Sequence, residues 1–250
     1  MTQWPDGYAE VILDTVDSTN QEARRRASEG TPPTWIMARA QTAGRGRRGR
    51  DWVSGAGNLY ATLLIERHAP AMAAARLSFH AALAVADTLR VLAPDASIAV
   101  KWPNDVLLNG RKASGILLDA LGASSTPPLM LGIGIGMNLA TAPEVEEAHV
   151  RPTSVAAETG SAPVPEHALS LLARRIDHWL TVDDTQGFAP VREAWRARAI
   201  GIGQPIDVRL PGSTLSGTFR DVDADGLLVL ETAEGLQTVA AGDVFFPGTA

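Results

Sequence analysis

Residues 41–52 read Gln-Thr-Ala-Gly-Arg-Gly-Arg-Arg-Gly-Arg-Asp-Trp, and the fold turns on how this run is taken. Gly44, Gly46 and Gly49 spell G-x-G-x-x-G, the spacing of a dinucleotide-binding turn. Such a turn has to open a helix, because the pyrophosphate sits on the helix N-terminus. Here the chain runs on through Trp52, Val53, Ser54, Gly55 and Gly57, which will not start one. Four arginines are also out of place in a turn that works through backbone N–H groups. The dinucleotide reading is rejected. What remains is a flexible loop of dense guanidinium charge. Arginine gives planar, bidentate hydrogen bonds to phosphate or carboxylate, and glycine lets a backbone approach a ligand closely. The loop therefore suits ordering around an anion. A solvated basic loop, or an RNA-binding Arg-Gly segment, is the plainer alternative.

The chain around this loop has 250 residues, 45% apolar and 20% charged, enough for one large domain with a small companion. Cysteine is absent, which removes disulfides, thiolate metal sites and cysteine nucleophiles. The five histidines lack zinc-ligand spacing, so no metal ligands are assigned. There is no P-loop and no G-x-S-x-G nucleophile elbow. A net charge of −6 argues against a general nucleic-acid coat but leaves room for a local basic site. The start, MTQWPDGYAE, carries no signal-peptide pattern, and the longest apolar run, 129–137, is too short to span a bilayer. A cytoplasmic protein is expected. Of 22 basic residues only Lys101 and Lys112 are lysines.

Periodicity and turn signals predict strands at 11–16, 35–40, 59–66, 98–102, 105–109 and 129–139. Asp17-Ser18-Thr19-Asn20, with Gln21 in capping-box position, predicts a helix to about residue 28, stopped by Gly30 and Pro32-Pro33. An Ala-rich run with Leu77, Leu83 and Leu89 predicts one helix over 72–92. Asn109-Gly110 predicts a type I′ hairpin pairing 105–108 with 112–121. An acidic loop with Pro143 follows, then helices near 153–159, 165–182 and 188–199. After Gly201 the texture changes to short strands at 205–210, 214–222, 227–232 and 236–246, which suggests a separate small β-barrel with a boundary near 200.

Two further segments bear on chemistry. In the strand Gly132-Ile-Gly-Ile-Gly-Met-Asn138, the glycines at 132, 134 and 136 share one face and leave a bare strip. Either a ligand or a packed helix can lie there, and Asn138 can bind a ligand or cap a turn. Across the hairpin, Lys101-Trp-Pro-Asn-Asp105 lies beside Arg111-Lys-Ala-Ser-Gly-Ile-Leu117, so both lysines share one small region. Lysine is a compact charge able to follow a migrating phosphoryl or acyl oxygen. Codon bias toward arginine is the alternative account of the scarcity. Trp52 and Trp102 can stack on an adenine or fill a core. His178 and Trp179 are taken as structural.

The motifs Asp17-Ser-Thr-Asn20, the 41–52 loop, Lys101-Trp-Pro-Asn-Asp105, Lys112-Ala-Ser-Gly-Ile-Leu117 and Gly132-Ile-Gly-Ile-Gly-Met-Asn138 resemble, in order and spacing, the bacterial biotin protein ligases. The resemblance implies an α+β fold: a mixed β-sheet flanked by helices, like class II aminoacyl-tRNA synthetases and other biotin–lipoate ligases. It adds a small C-terminal SH3-like β-barrel. A catalytic domain over 1–200 and a β domain over 201–250 follow. The implied reaction joins biotin and ATP, with Mg²⁺ assisting, to give biotinyl-5′-AMP. A lysine of a biotin carboxyl carrier domain, on acetyl-CoA carboxylase or a related carboxylase, then takes the biotinyl group.

Carried over by position, Ser18, Thr19, Asn20 and Gln41 are implied to bind the biotin ureido and neighbouring groups. Gly44, Arg45, Gly46 and Arg47 form the loop over biotin and the adenylate, with Gly115 and Gly134 in the pocket floor. Arg47, Arg50, Trp52, Asn104, Lys112 and Asn138 are implied on the nucleotide side. Lys112 and Arg47 are the implied catalytic residues, Lys112 bridging the biotin carboxylate and the α-phosphate. Lys101 is a weaker candidate, and Asp105 is a candidate to assist the incoming lysine or the metal. Asp119 stands where many relatives carry Glu, and Ser114 where Ala is common. The motifs begin at Asp17, which leaves no room for the winged helix of relatives that repress transcription, so no DNA partner and no membrane partner are expected. An exposed strand in this fold often supports a homodimer. A lipoate or octanoate ligase or transferase of the same fold is the nearest alternative, and an RNA-binding protein the alternative of another class.

Overall fold

The structure, a computed structural model, describes residues 4–29, 33–122, 126–144 and 150–246. Alternating exposure along β1 (Ala9–Val16) and near-complete burial of β2 (Thr34–Gln41) and β3 (Leu59–Arg67) mark an edge strand and two interior ones. They continue into β4 (Ile98–Lys101), β5 (Asp105–Leu108), β6 (Arg111–Ala120) and β7 (Leu129–Met137), in the order β1-β2-β3-β7-β6-β5-β4. Only β1 and β2 pair in parallel, so this large sheet is mixed.

Register assigns the two faces. Leu59, Ala61 and Leu63 of β3 sit opposite Met137, Ile135 and Ile133 of β7, and Ile135 opposite Ile116 of β6. This apolar face meets α3 (Leu77–Leu92) and α5 (Pro165–Gln186), where Leu83, Leu89, Leu169 and Leu172 are fully buried. The other face carries Tyr60 and Thr62 opposite Gly136 and Gly134, with Gly115 beside Gly136. Helix α1 (Thr19–Arg26) lies over one end of that face, its Ala23 packed with Ile36, Leu64 and Leu121. The glycine strip is thus covered at one end by a helix and at the other by the 41–52 loop.

The helix expected over 72–92 is two. Helix α2 (Ala71–Ala75) ends where the Arg76 N–H bonds to the Ala73 carbonyl at 3.1 Å, a tight turn. The Arg76 carbonyl is then taken by the Phe79 N–H at 2.9 Å and the His80 ring at 3.0 Å. The capping box does not form either: Ser18 is the N-cap residue but makes no side-chain cap bond. Gln21, with its amide oxygen outward, accepts from Arg45 at 3.1 and 3.3 Å instead. The hairpin prediction holds, with Asn109 and Gly110 both at positive φ, although a bulge shifts the register between Val106 and Leu107. Gly30, Pro32 and residues 145–149 of the acidic loop lie outside the described residues.

After α4 (Val155–Thr159), α5 and α6 (Phe188–Arg196), residues 198–200 join the edge of β4 through Val100 N–H to Arg198 O (2.9 Å) and Ile200 N–H to Val100 O (3.0 Å). A five-stranded antiparallel sheet follows: β8 (Pro205–Leu210), β9 (Ser213–Val222), β10 (Leu228–Thr232), β11 (Gly235–Val239) and β12 (Asp243–Phe245), ordered β11-β10-β9-β8-β12. The strand expected over 236–246 is split, because β11 pairs with β10 while β12 crosses to pair with β8 at the opposite edge. Trp102 is buried and points its indole nitrogen at the Gly226 carbonyl, 3.5 Å away. Of the two readings for Trp102, core filling is what the fold shows. Among the described residues no helix is long and apolar enough to cross a membrane.

Candidate active site

A cavity of ≈ 450 Å³ opens on the glycine face of the large sheet. Its floor is Gly134, Gly136 and Gly115, and the absence of side chains there is a steric requirement. A Cβ on Gly134 would stand 2.1 Å from Asn20 Oδ1, and one on Gly136 2.5 Å from the Trp52 indole. A Cβ on Gly115 would meet the same indole at 2.7 Å. Trp52 therefore lies directly on the bare strip, with its indole nitrogen buried and unpartnered among the described residues.

The end of the cavity under α1 is rich in uncharged hydrogen-bonding side chains. Gln41 Oε1 accepts from the Thr19 N–H at 2.9 Å and from the Thr19 hydroxyl at 3.3 Å. The Thr62 hydroxyl lies 2.8 Å from both Thr19 Oγ1 and Asn20 Oδ1, and Asn20 Nδ2 donates to Asp119 at 2.9 Å. Asp119 thus fixes the orientation of the Asn20 amide. Ser18, Thr19 and Asn20 are all buried. Just outside, Asp17 accepts the Ser18 N–H at 2.7 Å, and its hydrogen bonds with Arg25 hold its carboxyl down to about 2.

The opposite end is cationic. Lys112 Nζ lies 2.7 Å from Asp105 Oδ1, a charge contact whose angle is not that of a hydrogen bond, and 5.6 Å from the Trp52 ring centre. Lys101 lines the same end, and burial pulls its ammonium pKa below the ordinary lysine value. Asn104 spans the hairpin by donating to the Ile116 carbonyl at 2.8 Å, and its Oδ1 accepts from Arg47 at 3.2 Å. Asn138 donates to the Thr153 carbonyl at 3.0 Å and leaves Oδ1 buried without a partner among the described residues.

The arginine loop closes over this end and is tied to the small sheet. Arg48 and Arg50 reach Asp243 at 3.1 and 3.2 Å, Arg47 approaches it to 3.9 Å, and Arg47 also donates to the Gly242 carbonyl at 3.3 Å. Burial pulls the Arg47 pKa below the usual arginine value, partly offset by Asp243. Arg48 sits at φ 56° within the short turn Arg47–Gly49. Such a strained non-glycine conformation persists where its surroundings fix it.

All the residues implied by the motifs line this cavity except Gly44. Gly44 serves the loop instead: a Cβ there would stand 2.5 Å from the Trp52 carbonyl and 2.8 Å from Ser54 Oγ. Tyr60, which donates to the Gly55 carbonyl at 2.6 Å, and Asp243 also line the cavity. Sequence reasoning missed both. Tyr60 was legible as the strand neighbour of the glycine strip. Asp243 carried no local signal, since it lies in the segment taken as a separate domain.

A family model described as biotin/lipoate A/B protein ligase matches residues 12–138, and one described as biotin protein ligase C terminal domain matches residues 201–246. The chain belongs to the biotin/lipoate A/B protein ligase family. It is 47% identical over 95% of its length, and over all of the other chain, to the biotin–[acetyl-CoA-carboxylase] ligase of Paracoccus denitrificans. It is 35% identical to the enzyme of the same name from Mycobacterium tuberculosis, covering 94% of this chain and 87% of that one. The biotin protein ligase of Aquifex aeolicus, solved in complex with biotin and ATP, superposes with a TM-score of 0.79 at 25% identity, covering 94% of this chain and 97% of that one.

Proposed function

We infer that this chain is an ATP-dependent biotin ligase. It activates biotin as biotinyl-5′-AMP and passes the biotinyl group to a lysine of a biotin carboxyl carrier domain on a carboxylase. The observation that carries this is the polarity of one cavity, lined by uncharged hydrogen-bonding side chains under α1 and strongly cationic at the 101–112 hairpin and the arginine loop. An uncharged cyclic urea suits the first end, and the anions that must react suit the second. The catalytic unit is residues 1–200, and residues 201–250 form the SH3-like companion that adds Asp243, Val244 and Phe245 to the cavity wall.

Ser18, Thr19, Asn20 and Gln41 bind the ureido group over the Gly134 floor. Lys112 neutralises the biotin carboxylate and the α-phosphate as the two anions approach, a task for a compact charge on a flexible stem. Arg47 and Arg50 cover the phosphate, with Arg45 and Gly46 completing the lid that keeps water from the mixed anhydride. Trp52, Asn104 and Asn138 contact the nucleotide, the unpaired Asn138 Oδ1 being an acceptor in need of a donor. Asp105 is the carboxylate beside Lys112 available to the incoming lysine. Its hard oxygen also fits Mg²⁺, which enters with ATP and shields phosphate charge when bound.

Incubation with ATP, Mg²⁺ and labelled biotin tests the inference, with lipoate in a parallel reaction. Biotin-dependent ATP–pyrophosphate exchange and labelling of a carrier domain are expected. Adenylate formed from lipoate alone would overturn it.

A further inference from the structure

Among the described residues Lys101 is a buried cation of this hairpin with no counter-ion within 4 Å. It closes β4, the outermost strand of the large sheet, and is 8% exposed. Its neighbours are matched within 4 Å: Lys112 by Asp105, and Arg47, Arg48 and Arg50 by Asp243. Among the described residues the Lys101 ammonium donates no hydrogen bond and has no carboxylate at that distance. Asp105 and Asp243 attract it from further off, while Lys112 and Arg47 repel it. Five cations around two carboxylates leave a net charge of +3. A desolvated charge without a partner is costly to keep, so an anion brought by the ligand is what completes the site.

Position says which anion. From β7 the sheet steps through β6 with Lys112 and β5 with Asp105 to β4 with Lys101, at about 4.8 Å per strand. The hydrogen-bonding end under α1 lies on the far side of the glycine floor. With Lys112 at the point where the carboxylate meets the α-phosphorus, Lys101 stands beyond the α-phosphate. We propose that Lys101 binds the β- and γ-phosphates of ATP and stabilises the pyrophosphate as it departs.

The proposal rests on the biotin ligase reading and adds a residue and a step to it. In that step a biotin carboxylate oxygen forms a bond to the α-phosphorus. The bond from the α-phosphorus to the bridging oxygen breaks, and its electron pair leaves with pyrophosphate. No proton is transferred. The Lys101 ammonium faces the added negative charge on the leaving group, where a fixed cation in a desolvated site acts most strongly.

The two half-reactions separate this role from the competing one, in which a deprotonated Lys101 amine serves the incoming acceptor lysine. ATP–pyrophosphate exchange and transfer from preformed biotinyl-5′-AMP to a carrier domain are measured for wild type, Lys101→Met and Lys101→Arg. Lys101→Met should lower kcat/KM for exchange by about 100-fold, and by at least about tenfold more than it lowers transfer. Lys101→Arg should recover part of the exchange and weaken inhibition by pyrophosphate without changing the KM for biotin. Transfer lost as severely as exchange, or exchange left intact, would overturn the proposal. If Lys101→Met does not fold, unchanged pyrophosphate inhibition in Lys101→Arg overturns it. A wild-type protein with no biotin-dependent exchange would remove the underlying reading instead, and is distinguishable because no variant is needed to see it.

Discussion

Adding a single methyl group at Gly134 should damage one end of the cavity and spare the other. In Gly134→Ala the new Cβ would stand 2.1 Å from Asn20 Oδ1, 2.9 Å from its Cγ and 3.0 Å from its Nδ2, against an ordinary contact of 3.4–4 Å. The Asn20 amide must retreat by more than 1 Å, yet Asn20 is buried and held at 2.8 Å by Thr62 and 2.9 Å by Asp119. A neutral hydrogen bond contributes about 1 kcal/mol and one to a charged group about 1.5–3, so losing both costs roughly 2.5–4 kcal/mol. For a chain of this size that lowers Tm by roughly 5–15 °C. The KM for biotin should rise by about tenfold or more, since ~1.4 kcal/mol of lost binding is a factor of ten. The KM for ATP should stay within about twofold of wild type on the same scale. Gly136→Ala is the internal comparison: its Cβ meets the Trp52 indole, whose nitrogen makes no hydrogen bond among the described residues, so stability should fall less and the ATP side should suffer. Thermal unfolding and steady-state kinetics on both variants read these outcomes. A Gly134→Ala protein melting within about 2 °C of wild type with an unchanged biotin KM would refute the reasoning.

Lys112→Ala should abolish adenylate formation, a loss of about 10³-fold or more in exchange rate, with Tm nearly unchanged because the side chain is half-exposed and faces the cavity. Turnover near wild type would reject its role. Arg47→Gly removes the bonds to Asn104 and the Gly242 carbonyl, so the lid should release adenylate and bystander proteins should become labelled. Mass spectrometry should find that label on other proteins, since this chain offers only Lys101 and Lys112 as internal lysines. The hydrogen bond from His80 holds the Asp183 carboxyl below its ordinary value of 3.8. A depressed carboxyl stabilises the fold above that value and loses its contribution as pH falls through the lower, folded-state one. Asp183→Asn should therefore cost roughly 1.5–3 kcal/mol near neutral pH and flatten the acid limb of stability below pH ~4. Urea unfolding across pH 2–7 measures it, and parallel curves for variant and wild type would contradict the assignment.

Much of the site was legible because its signals are local. Strand alternation placed the three glycines on one face, and Asn109-Gly110 brought both lysine segments together, each from the geometry of a few neighbouring residues. The same locality misled at Arg76, where an uninterrupted helical pattern runs through a turn stabilised by His80. It misled again at Gln21, which abandons the cap for Arg45. Asp119 shows the limit well: sequence reading gives it no contact, and only packing reveals that it orients Asn20, 99 residues earlier in the chain.

The sequence alone determined that residues 41–52 are a dense basic loop and not a dinucleotide turn, since no helix can start after them. It also determined the bare glycine floor and the cationic hairpin beside it. Tertiary structure decided what balances that charge. Asp243 meets Arg48 across 195 residues of sequence, Asp105 holds Lys112, and Lys101 has no counter-ion within 4 Å among the described residues. The physical reason is range: turn chemistry and side-chain alternation act over a few residues, whereas ion pairing and desolvation depend on what the finished fold places within a few ångströms.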